Sequence, residues 1–156
     1  MRKAEVIVAS TRAAQGIYAD ESGPIAVAFL REMGLETPEA TVVADADVEA
    51  ALRAALLREP AVILTSGGTG ITSDDRTVEV VRGSLERELP GIVYAFYEQG
   101  RAHVPTAVLS RAVAGIRGST FLMTLPGSRG GVRDGCAVLK PILPHLLDQL
   151  EGHHEH

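Results

Sequence analysis

The run Thr65-Ser66-Gly67-Gly68-Thr69-Gly70 decides the fold, because it follows the apolar segment Ala61-Val62-Ile63-Leu64 without a break. A short, β-branched apolar run predicts a buried strand, and the glycines predict a tight turn at its carboxyl end. Beyond the turn, apolar residues recur every three or four positions, which predicts a helix over 77–88. Strand, glycine turn and helix in this order are typical of a layered α/β protein.

The same order of strand and helix occurs twice before this run. Strands are predicted over 5–9 and 40–44, where β-branched residues are frequent. Ser22 is predicted to cap a helix that has Pro24 in its first turn, and Asp47 is predicted to cap the next helix. The first half of the chain therefore predicts strands covered by helices.

The second half predicts a change of strand direction. Strands over 107–116 and 120–125 are joined by Arg117-Gly118, and so short a connection indicates an antiparallel hairpin. The sheet is therefore predicted to be mixed but mostly parallel. A last helical region over 132–150 contains Pro141, near which we expect a break.

Bulk composition predicts one domain over residues 1–152, followed by a frayed polar tail over 153–156. Of the 156 residues, 46% are hydrophobic and only 4% are aromatic. The core must therefore be aliphatic, which suits a parallel sheet covered by helices. The net charge is −5 and no basic stripe is visible, which argues against a nucleic-acid partner.

Cys136 is the single cysteine of the sequence, so no intrachain disulfide can form and a reducing compartment is expected. No run approaches the roughly 20 apolar residues of a membrane helix. The first residues contain no apolar signal-peptide core. We therefore expect a cytoplasmic protein without a membrane partner. His103 and His145 are isolated, so no zinc ligand set is expected.

Polar residues follow three of the predicted strands at the point where each strand ends. These positions are held by Ser10-Thr11-Arg12, Asp45 and Gly67-Gly68. In layered α/β folds, ligands bind outside the carboxyl ends of the strands. We therefore predict that these segments converge on a single ligand site.

The glycine run itself is predicted to bind a phosphate group. Glycines without a Cβ let backbone N–H groups turn toward an anion, and the amino end of the next helix adds partial positive charge. No Lys-Ser or Lys-Thr pair follows Gly70, so the run is not a Walker A loop, and its spacing is not G-x-G-x-x-G. A plain strand-to-helix turn is the alternative.

Asp45 and Asp75 are the candidate carboxylates. Transfer of phosphoryl or nucleotidyl groups uses Mg²⁺ to bridge phosphate oxygens, and carboxylates hold Mg²⁺. Helix capping is the alternative role. Because Asp47 can cap the following helix, Asp45 is expected to have no structural role, and both interpretations remain open for each aspartate.

Two further segments are candidates for anion binding. Arg111, beside Ser110, is predicted to lie within a strand, and arginine suits bidentate contact with phosphate. Pairing of Arg111 with a carboxylate is the alternative. The turn Pro126-Gly127-Ser128 offers free N–H groups, with an ordinary turn as the alternative.

Taken together, these motifs resemble the MoaB/Mog family of molybdenum-cofactor biosynthesis proteins, and most of all its molybdopterin adenylyltransferases of the Mog type. The resemblance extends from Val6 to about Gly152, and its specificity lies in the joint order and spacing of the motifs. These are Val8-Ala9-Ser10-Thr11-Arg12, Gly16-Ile17-Tyr18-Ala19-Asp20, Val42-Val43-Ala44-Asp45, Thr65-Ser66-Gly67-Gly68-Thr69-Gly70, Asp75-Arg76-Thr77-Val78-Glu79, Leu109-Ser110-Arg111-Ala112-Val113-Ala114-Gly115 and Leu125-Pro126-Gly127-Ser128.

The resemblance implies a three-layer α/β/α domain with the molybdopterin-binding fold, usually as a homotrimer. It implies an enzyme that transfers AMP from Mg-ATP to the terminal phosphate of molybdopterin, with a possible transient contact with the molybdenum-insertion protein. Asp45 and Asp75 match the two family aspartates required for activity and are the expected Mg²⁺ ligands. The residues predicted to bind substrate or phosphate are Ser10, Thr11, Arg12, Gly67, Gly68, Thr69, Gly70, Ser110, Arg111, Pro126, Gly127 and Ser128.

Two other interpretations remain. One is a non-catalytic molybdopterin-binding or scaffold protein of the same fold, and the other is an enzyme that acts on a different phosphorylated substrate or nucleotide. Two aspartates favour an enzyme, because pure binding needs no anions facing an anionic ligand. Val78, Tyr94 and Arg129 depart from the family pattern, which commonly has proline, an acidic residue and proline at these positions.

We predict a homotrimer. Ile92, Val93, Tyr94, Phe96 and Tyr97 concentrate more apolar surface than one helix face can bury, so part of the cluster is expected to contact a neighbouring subunit. Light scattering at micromolar concentration should give the mass of three chains. The mass of a single chain would contradict the prediction.

Overall fold

A six-stranded sheet runs through the middle of the protein, whose computed structural model describes residues 1–152. The strands are β1 (Ala4–Ala9), β2 (Thr41–Val43), β3 (Val62–Ser66), β4 (Arg87–Glu88), β5 (Ala114–Arg117) and β6 (Thr120–Leu125). They lie in the order β2-β1-β3-β6-β5-β4. The first four of this order run parallel, whereas β5 is antiparallel to β6 and β4 is antiparallel to β5. The predicted mixed, mostly parallel sheet is confirmed.

Helices cover both faces of this sheet. They are α1 (Thr11–Ala14), α2 (Ser22–Glu32), α3 (Val48–Leu57), α4 (Thr77–Ser84), α5 (Pro90–Arg101), α6 (Arg129–Leu139) and α7 (Leu143–Leu150). Two 3₁₀ helices, Asp45–Asp47 and Pro105–Leu109, lie between these elements. The gap between α6 and α7 confirms the predicted break near Pro141.

Side chains of the strands alternate between two apolar cores, one on each face of the sheet. Along β1, Val6 and Val8 pack in the core that contains α2, α5, α6 and α7. Ile7 and Ala9, which point the other way, pack in the core that contains α3 and α4. Because both faces are covered, the strands are apolar at successive positions rather than alternating. The predicted three-layer α/β/α architecture is confirmed.

The predicted strand over 107–116 begins too early. Pro105–Leu109 form a 3₁₀ helix, and β5 starts only after Ser110 and Arg111 have turned toward the glycine run. Ser110 Oγ lies 2.8 Å from Thr69 Oγ1, and the Arg111 N–H donates to the Thr69 carbonyl oxygen at 2.8 Å. These tertiary hydrogen bonds replace a strand ladder and override the local preference for an extended chain.

The predicted helix over 77–88 is too long, because α4 ends at Ser84. The Glu86 N–H donates to the Ile116 carbonyl oxygen at 2.8 Å, so this part of the chain pairs with β5 and forms β4. A free strand edge offers backbone partners that a helix end does not. The hairpin of β5 and β6 is confirmed, and its connection is Gly118-Ser119.

Asp20, not Ser22, caps α2. Its Oδ1 accepts hydrogen bonds from the N–H groups of Ser22 and Gly23, each at 3.2 Å. The prediction for Ser22 is wrong because Ser22 is buried and already lies inside the first turn. Asp47 does occupy the position before α3, but its side chain makes no capping hydrogen bond.

The two ends of the described chain are tied together at the amino edge of the sheet. The Arg2 guanidinium donates to the carboxylates of Asp148 and Glu151, which lie at the end of α7. Because Arg2 precedes β1, this contact lies opposite the carboxyl ends of the parallel strands. The predicted frayed tail over 153–156 lies outside the described residues. Within residues 1–152, the helices are too short or too polar to cross a membrane.

Gly115 and Gly83 should respond oppositely to alanine. A Cβ at Gly115 would overlap the Arg87 carbonyl oxygen on β4, whereas a Cβ at Gly83 on α4 meets nothing within 4 Å. Gly115→Ala should lower the free energy of unfolding by about 1–3 kcal/mol, because the backbone must shift. Gly83→Ala should raise it by up to about 1 kcal/mol. Chemical denaturation measures both, and equal effects would contradict the packing described for β4.

Candidate active site

Three strand ends meet at the carboxyl edge of the sheet, and Gly67 is the residue at which they meet. The Gly67 N–H donates to the Leu125 carbonyl oxygen at the end of β6, at 3.0 Å. Gly67 has a φ of +91°, and a Cβ there would overlap the carbonyl oxygen of Ala9 at the end of β1. Both the backbone conformation and the available space therefore require glycine at this position.

A cleft of about 540 Å³ lies at this meeting point. Its walls combine the ends of β1, β3 and β6 with the segment before α2. The polar and glycine residues of the lining are Ser10, Tyr18, Asp20, Glu21, Ser22, Ser66, Gly67, Gly127, Ser128 and Arg129. Four of the residues predicted to bind phosphate are thus brought together: Ser10, Gly67, Gly127 and Ser128.

Six polar residues of the cleft were not among the predicted binding residues: Tyr18, Asp20, Glu21, Ser22, Ser66 and Arg129. The Tyr18 hydroxyl lies 2.8 Å from Ser10 Oγ, and Ser66 Oγ lies 2.9 Å from the Pro126 carbonyl oxygen. The signal for Asp20 was present, because an aspartate two residues before a helix can cap it and so lies at the helix entrance. Tyr18 and Ser66 lie within motifs that carry the family resemblance. Their residue types alone give no comparable signal, since a tyrosine in a loop and a serine ending a strand are ordinary.

A second group is joined to the cleft through the glycine run and contains Thr69, Gly70, Ser110 and Arg111. Thr69 is bonded to Ser110 and Arg111, as described above. The Arg111 guanidinium donates to the carbonyl oxygens of Gly70 and Asp75, each at 2.9 Å. It also donates to Glu79 Oε1 at 2.6 Å. Arg111 is therefore paired with a carboxylate, which was the alternative to phosphate contact.

Asp75 is half-buried and held in its ionised form. Its Oδ2 accepts hydrogen bonds from the Thr72 hydroxyl at 2.7 Å and the Thr72 N–H at 3.0 Å. The bond from the Thr72 hydroxyl is the largest cause that holds the pKa of the Asp75 carboxyl below its ordinary value, and the charge of Arg111 adds to it. Because the pKa is lowered, the carboxylate stays charged at neutral pH and takes up a proton only in stronger acid. The neighbouring Asp74 is exposed.

Asp45 is tied to Thr11, so the expectation that it has no structural role is wrong. Thr11 Oγ1 donates to Asp45 Oδ2 at 2.9 Å and accepts a hydrogen bond from the Asp45 N–H at 3.1 Å. The contact arises because β1 and β2 are parallel neighbours, so α1 after β1 meets the residues after β2. Arg12, the next residue of α1, is exposed.

The donor set suits Mg²⁺. This ion takes oxygen ligands, commonly one or two carboxylates together with substrate phosphates. Within the described part of the chain, no three acidic, histidine or cysteine side chains cluster to hold a metal by themselves. Asp45 and Asp75 lie beyond the ends of β2 and β3. Their carboxylates, together with phosphate oxygens of a substrate, would make up a ligand set of the kind that Mg²⁺ takes.

Cys136 is unsuited to act as a nucleophile. The thiol is buried in the core beneath α6, and burial raises its pKa to about 12. It therefore stays protonated at neutral pH. His103 and His145 are both exposed, on separate parts of the chain.

The three departures from the family pattern have different surroundings. Val78 is fully buried, and α4 begins at Thr77 without the proline. Tyr94 is 70% exposed on α5. Arg129 begins α6, lines the cleft and lies 3.4 Å from the Glu21 carboxylate. Of the three, Arg129 alone adds a charged group to the cleft wall.

Residues 5–145 match the family described as the probable molybdopterin binding domain. The chain therefore belongs to this family, as its motifs predicted. Among solved structures, the molybdopterin biosynthesis Mog protein from Mycobacterium ulcerans superposes with a TM-score of 0.91 and 46% identity, covering 96% of this chain and 99% of that one.

Curated relatives carry related names. The chain is 38% identical over 151 residues to a molybdenum cofactor biosynthesis bifunctional protein from Synechococcus elongatus, covering 96% of this chain and 47% of the relative. It is 30% identical over 154 residues to a molybdopterin adenylyltransferase from Helicobacter pylori, covering 96% and 88% respectively. The chain thus spans about half the length of the bifunctional relatives that it matches.

Alanine substitutions at Gly68 and Gly127 distinguish an effect on stability from an effect on ligand binding. Gly68 has a φ of +70°, and a Cβ there would overlap the Thr77 hydroxyl, so Gly68→Ala should lower the free energy of unfolding by about 1–3 kcal/mol and weaken phosphate binding. A Cβ at Gly127 would lie 3.5 Å from Gly67 Cα, an ordinary contact. Gly127→Ala should therefore keep its stability and lose affinity only. Calorimetric titration with pyrophosphate, paired with chemical denaturation, measures both effects. Unchanged affinity in the two variants would contradict a phosphate site here.

Proposed function

We propose that the chain is a molybdopterin adenylyltransferase that works in molybdenum-cofactor biosynthesis. It transfers AMP from Mg-ATP to the terminal phosphate of molybdopterin. An oxygen of that phosphate attacks the α-phosphorus of ATP, and a new P–O–P linkage forms. The bond from the α-phosphorus to the oxygen of the departing pyrophosphate breaks. The products are adenylylated molybdopterin and pyrophosphate.

One observation carries this proposal: an ionised carboxylate is held beside a glycine run of the phosphate-binding type. The pKa of Asp75 is lowered, and its backbone is linked through Arg111 to Gly70. A site that only binds a polyanion is weakened by a fixed negative charge, because like charges repel. A retained anion at this place therefore favours an enzyme over a scaffold.

The residues of the chain supply position and charge in this reaction. The proposed donors to phosphate oxygens are the backbone N–H groups of Gly68 and Thr69 in the glycine run and of Gly127 and Ser128 in the turn after β6, because that of Gly67 is bonded to Leu125. Ser128 Oγ caps α6, whose amino end adds partial positive charge beside the cleft. The Arg129 guanidinium also lines the cleft, where it is paired with the Glu21 carboxylate at 3.4 Å. Because one substrate attacks the other, a nucleophilic side chain is not needed.

Asp45 and Asp75 are the proposed ligands of the Mg²⁺ that accompanies ATP. When bound, the ion offsets the charge that develops on the phosphate oxygens. The Thr11 hydroxyl orients the Asp45 carboxylate, and the Thr72 hydroxyl and N–H orient that of Asp75. Both carboxylates are thus held in place by the protein before a substrate arrives.

Incubation of the purified protein with molybdopterin and Mg-ATP tests the proposal. Formation of adenylylated molybdopterin and pyrophosphate in equal amounts is the expected result. Tight molybdopterin binding without any product would instead indicate the scaffold. Neither binding nor product would indicate an enzyme for another phosphorylated substrate.

We also propose a cytoplasmic homotrimer that contacts the molybdenum-insertion protein transiently. A single, buried cysteine suits a reducing compartment. Phe96 is buried and Tyr97 Oη accepts a hydrogen bond from the Ala112 N–H, so Tyr94 is the aromatic residue of α5 left for a neighbouring subunit. Relatives named bifunctional are about twice as long, which supports a partner that works next to this fold.

We predict that Asp75, not Asp74, carries the catalytic charge. Asp75→Asn keeps the size of the side chain but removes the charge that holds Mg²⁺. The rate of transfer should fall by orders of magnitude. Binding of molybdopterin should be largely kept, because one repulsive charge is removed. Asp74→Asn should change the rate only mildly. The Asp74 side chain is exposed, and the Thr72 hydroxyl that orients Asp75 is bonded to Asp75 and not to Asp74.

Single-turnover formation of adenylylated molybdopterin at saturating Mg-ATP measures both variants. The adjacent aspartates form a matched pair, since each substitution removes one charge from the same loop. Equal losses, or a greater loss for Asp74→Asn, would show that the wrong aspartate has been assigned.

A further inference from the structure

We propose that Arg111 is a positioning residue rather than a ligand of substrate phosphate. It holds residues 70–79, which comprise the loop after the glycine run and the first turn of α4, and with them Asp75. The inference rests on the proposed function, because it takes Asp75 as the catalytic carboxylate. Arginine near a phosphate site is usually interpreted as an anion ligand. The contacts of this side chain indicate a different role.

The guanidinium of Arg111 donates hydrogen bonds to three residues of the segment 70–79. Nε donates to the Gly70 carbonyl oxygen at 2.9 Å, where the glycine run ends. Nη2 donates to the Asp75 carbonyl oxygen at 2.9 Å, in the middle of the loop. Nη1 donates to Glu79 Oε1 at 2.6 Å, on the first turn of α4. Every nitrogen of the group is thus engaged, and its charge is already matched by a carboxylate.

The backbone that carries Arg111 is itself fixed on both sides. The Arg111 N–H donates to the Thr69 carbonyl oxygen at 2.8 Å, and the Ala112 N–H donates to Tyr97 Oη at 2.9 Å. The Val113 N–H donates to Thr124 Oγ1 on β6 at 3.0 Å. The guanidinium therefore extends from a frame that includes the sheet and α5, and the loop is held against that frame.

The loop needs such a support. Ile71 is 76% exposed, and residues 71–74 are all exposed. Apart from Arg111, residues 71–75 are held by bonds between Thr72 and Asp75 and by a backbone hydrogen bond from Gly70 to the Asp75 carboxylate. These bonds are local and join residues at most five positions apart. A local turn can keep the shape of the loop, but it cannot fix where the Asp75 carboxylate lies relative to the cleft. The bonds of Arg111 supply that second constraint.

Hydrogen exchange of the ligand-free protein provides the first test. In Arg111→Ala, the amides of residues 70–79 should exchange about tenfold faster or more, the change expected when hydrogen bonds to a charged group are lost. Arg58→Ala is the matched control, because it also removes an arginine that is hydrogen-bonded to a glutamate at 2.6 Å, Glu5 on β1. Exchange over residues 70–79 should be unchanged in that control. Unchanged exchange in Arg111→Ala would overturn the proposal.

Kinetics separate positioning from phosphate contact. Arg111→Ala should lower kcat, while KM for ATP and for molybdopterin stays within about twofold, because no substrate contact is lost. Adding Arg111→Ala to Asp75→Asn should lower kcat little further. The asparagine carries no charge, so its exact position no longer affects the rate. A tenfold rise in either KM with kcat kept would overturn the proposal and assign Arg111 to phosphate.

Two further arms keep these outcomes distinct. Should Arg111→Ala fail to fold, Arg111→Lys allows the same measurements, because an ammonium group cannot serve three acceptors that are spread along the loop. Should the wild-type protein form no adenylylated molybdopterin, the proposed function fails. The exchange measurement then still decides whether Arg111 holds the loop, because it requires no substrate.

Discussion

The contact of Gly67 with the ends of two neighbouring strands is the constraint on which the site depends. Gly67, directly after β3, lies so close to the Ala9 carbonyl oxygen of β1 that a Cβ would not fit. The Gly67 N–H is bonded to the Leu125 carbonyl oxygen of β6. Residue 67 can therefore carry no side chain at the centre of the carboxyl edge. Backbone amides and small hydroxyls therefore face the cleft, and such groups donate hydrogen bonds to phosphate oxygens.

The same edge contains polar groups that fold stability alone does not explain. Thr65 and Thr77 have buried hydroxyls without a hydrogen-bond partner among residues 1–152. Each such group costs about 1–3 kcal/mol relative to a paired one. The Thr77 hydroxyl lies against Gly68, at the base of the glycine run. Departures from full pairing are expected where a structure is shaped by function, and here they lie beneath the proposed phosphate loop.

The sheet could be predicted from the sequence because its central strands are short apolar runs with turn residues at their ends. Local patterns failed where a distant partner decides the conformation. Ser110 and Arg111 have strand-like neighbours, but bonds to Thr69 hold them out of the sheet. β4 forms because β5 offers an unpaired edge, which no pattern within 77–88 can indicate.

The candidate site divides in the same way. Ser10 and Gly67 could be placed together because the carboxyl ends of parallel strands share one edge. The pairing of Thr11 with Asp45 could not, since it depends on how closely α1 approaches the end of β2. For Asp75, the sequence left catalysis and capping open. The structure adds the Thr72 bonds and the lowered pKa, on which the proposed catalytic role rests.

The link between Arg2 and the end of α7 has a consequence for how this fold can be rearranged. Since both ends of the described chain lie at the amino edge, a short peptide could join them and new termini could be opened in an exposed loop, as in a circular permutation. Another protein attached at either end would likewise stand on the far side from the cleft. Gene fusion at these ends would thus leave the candidate cleft open, an arrangement compatible with relatives of about twice this length.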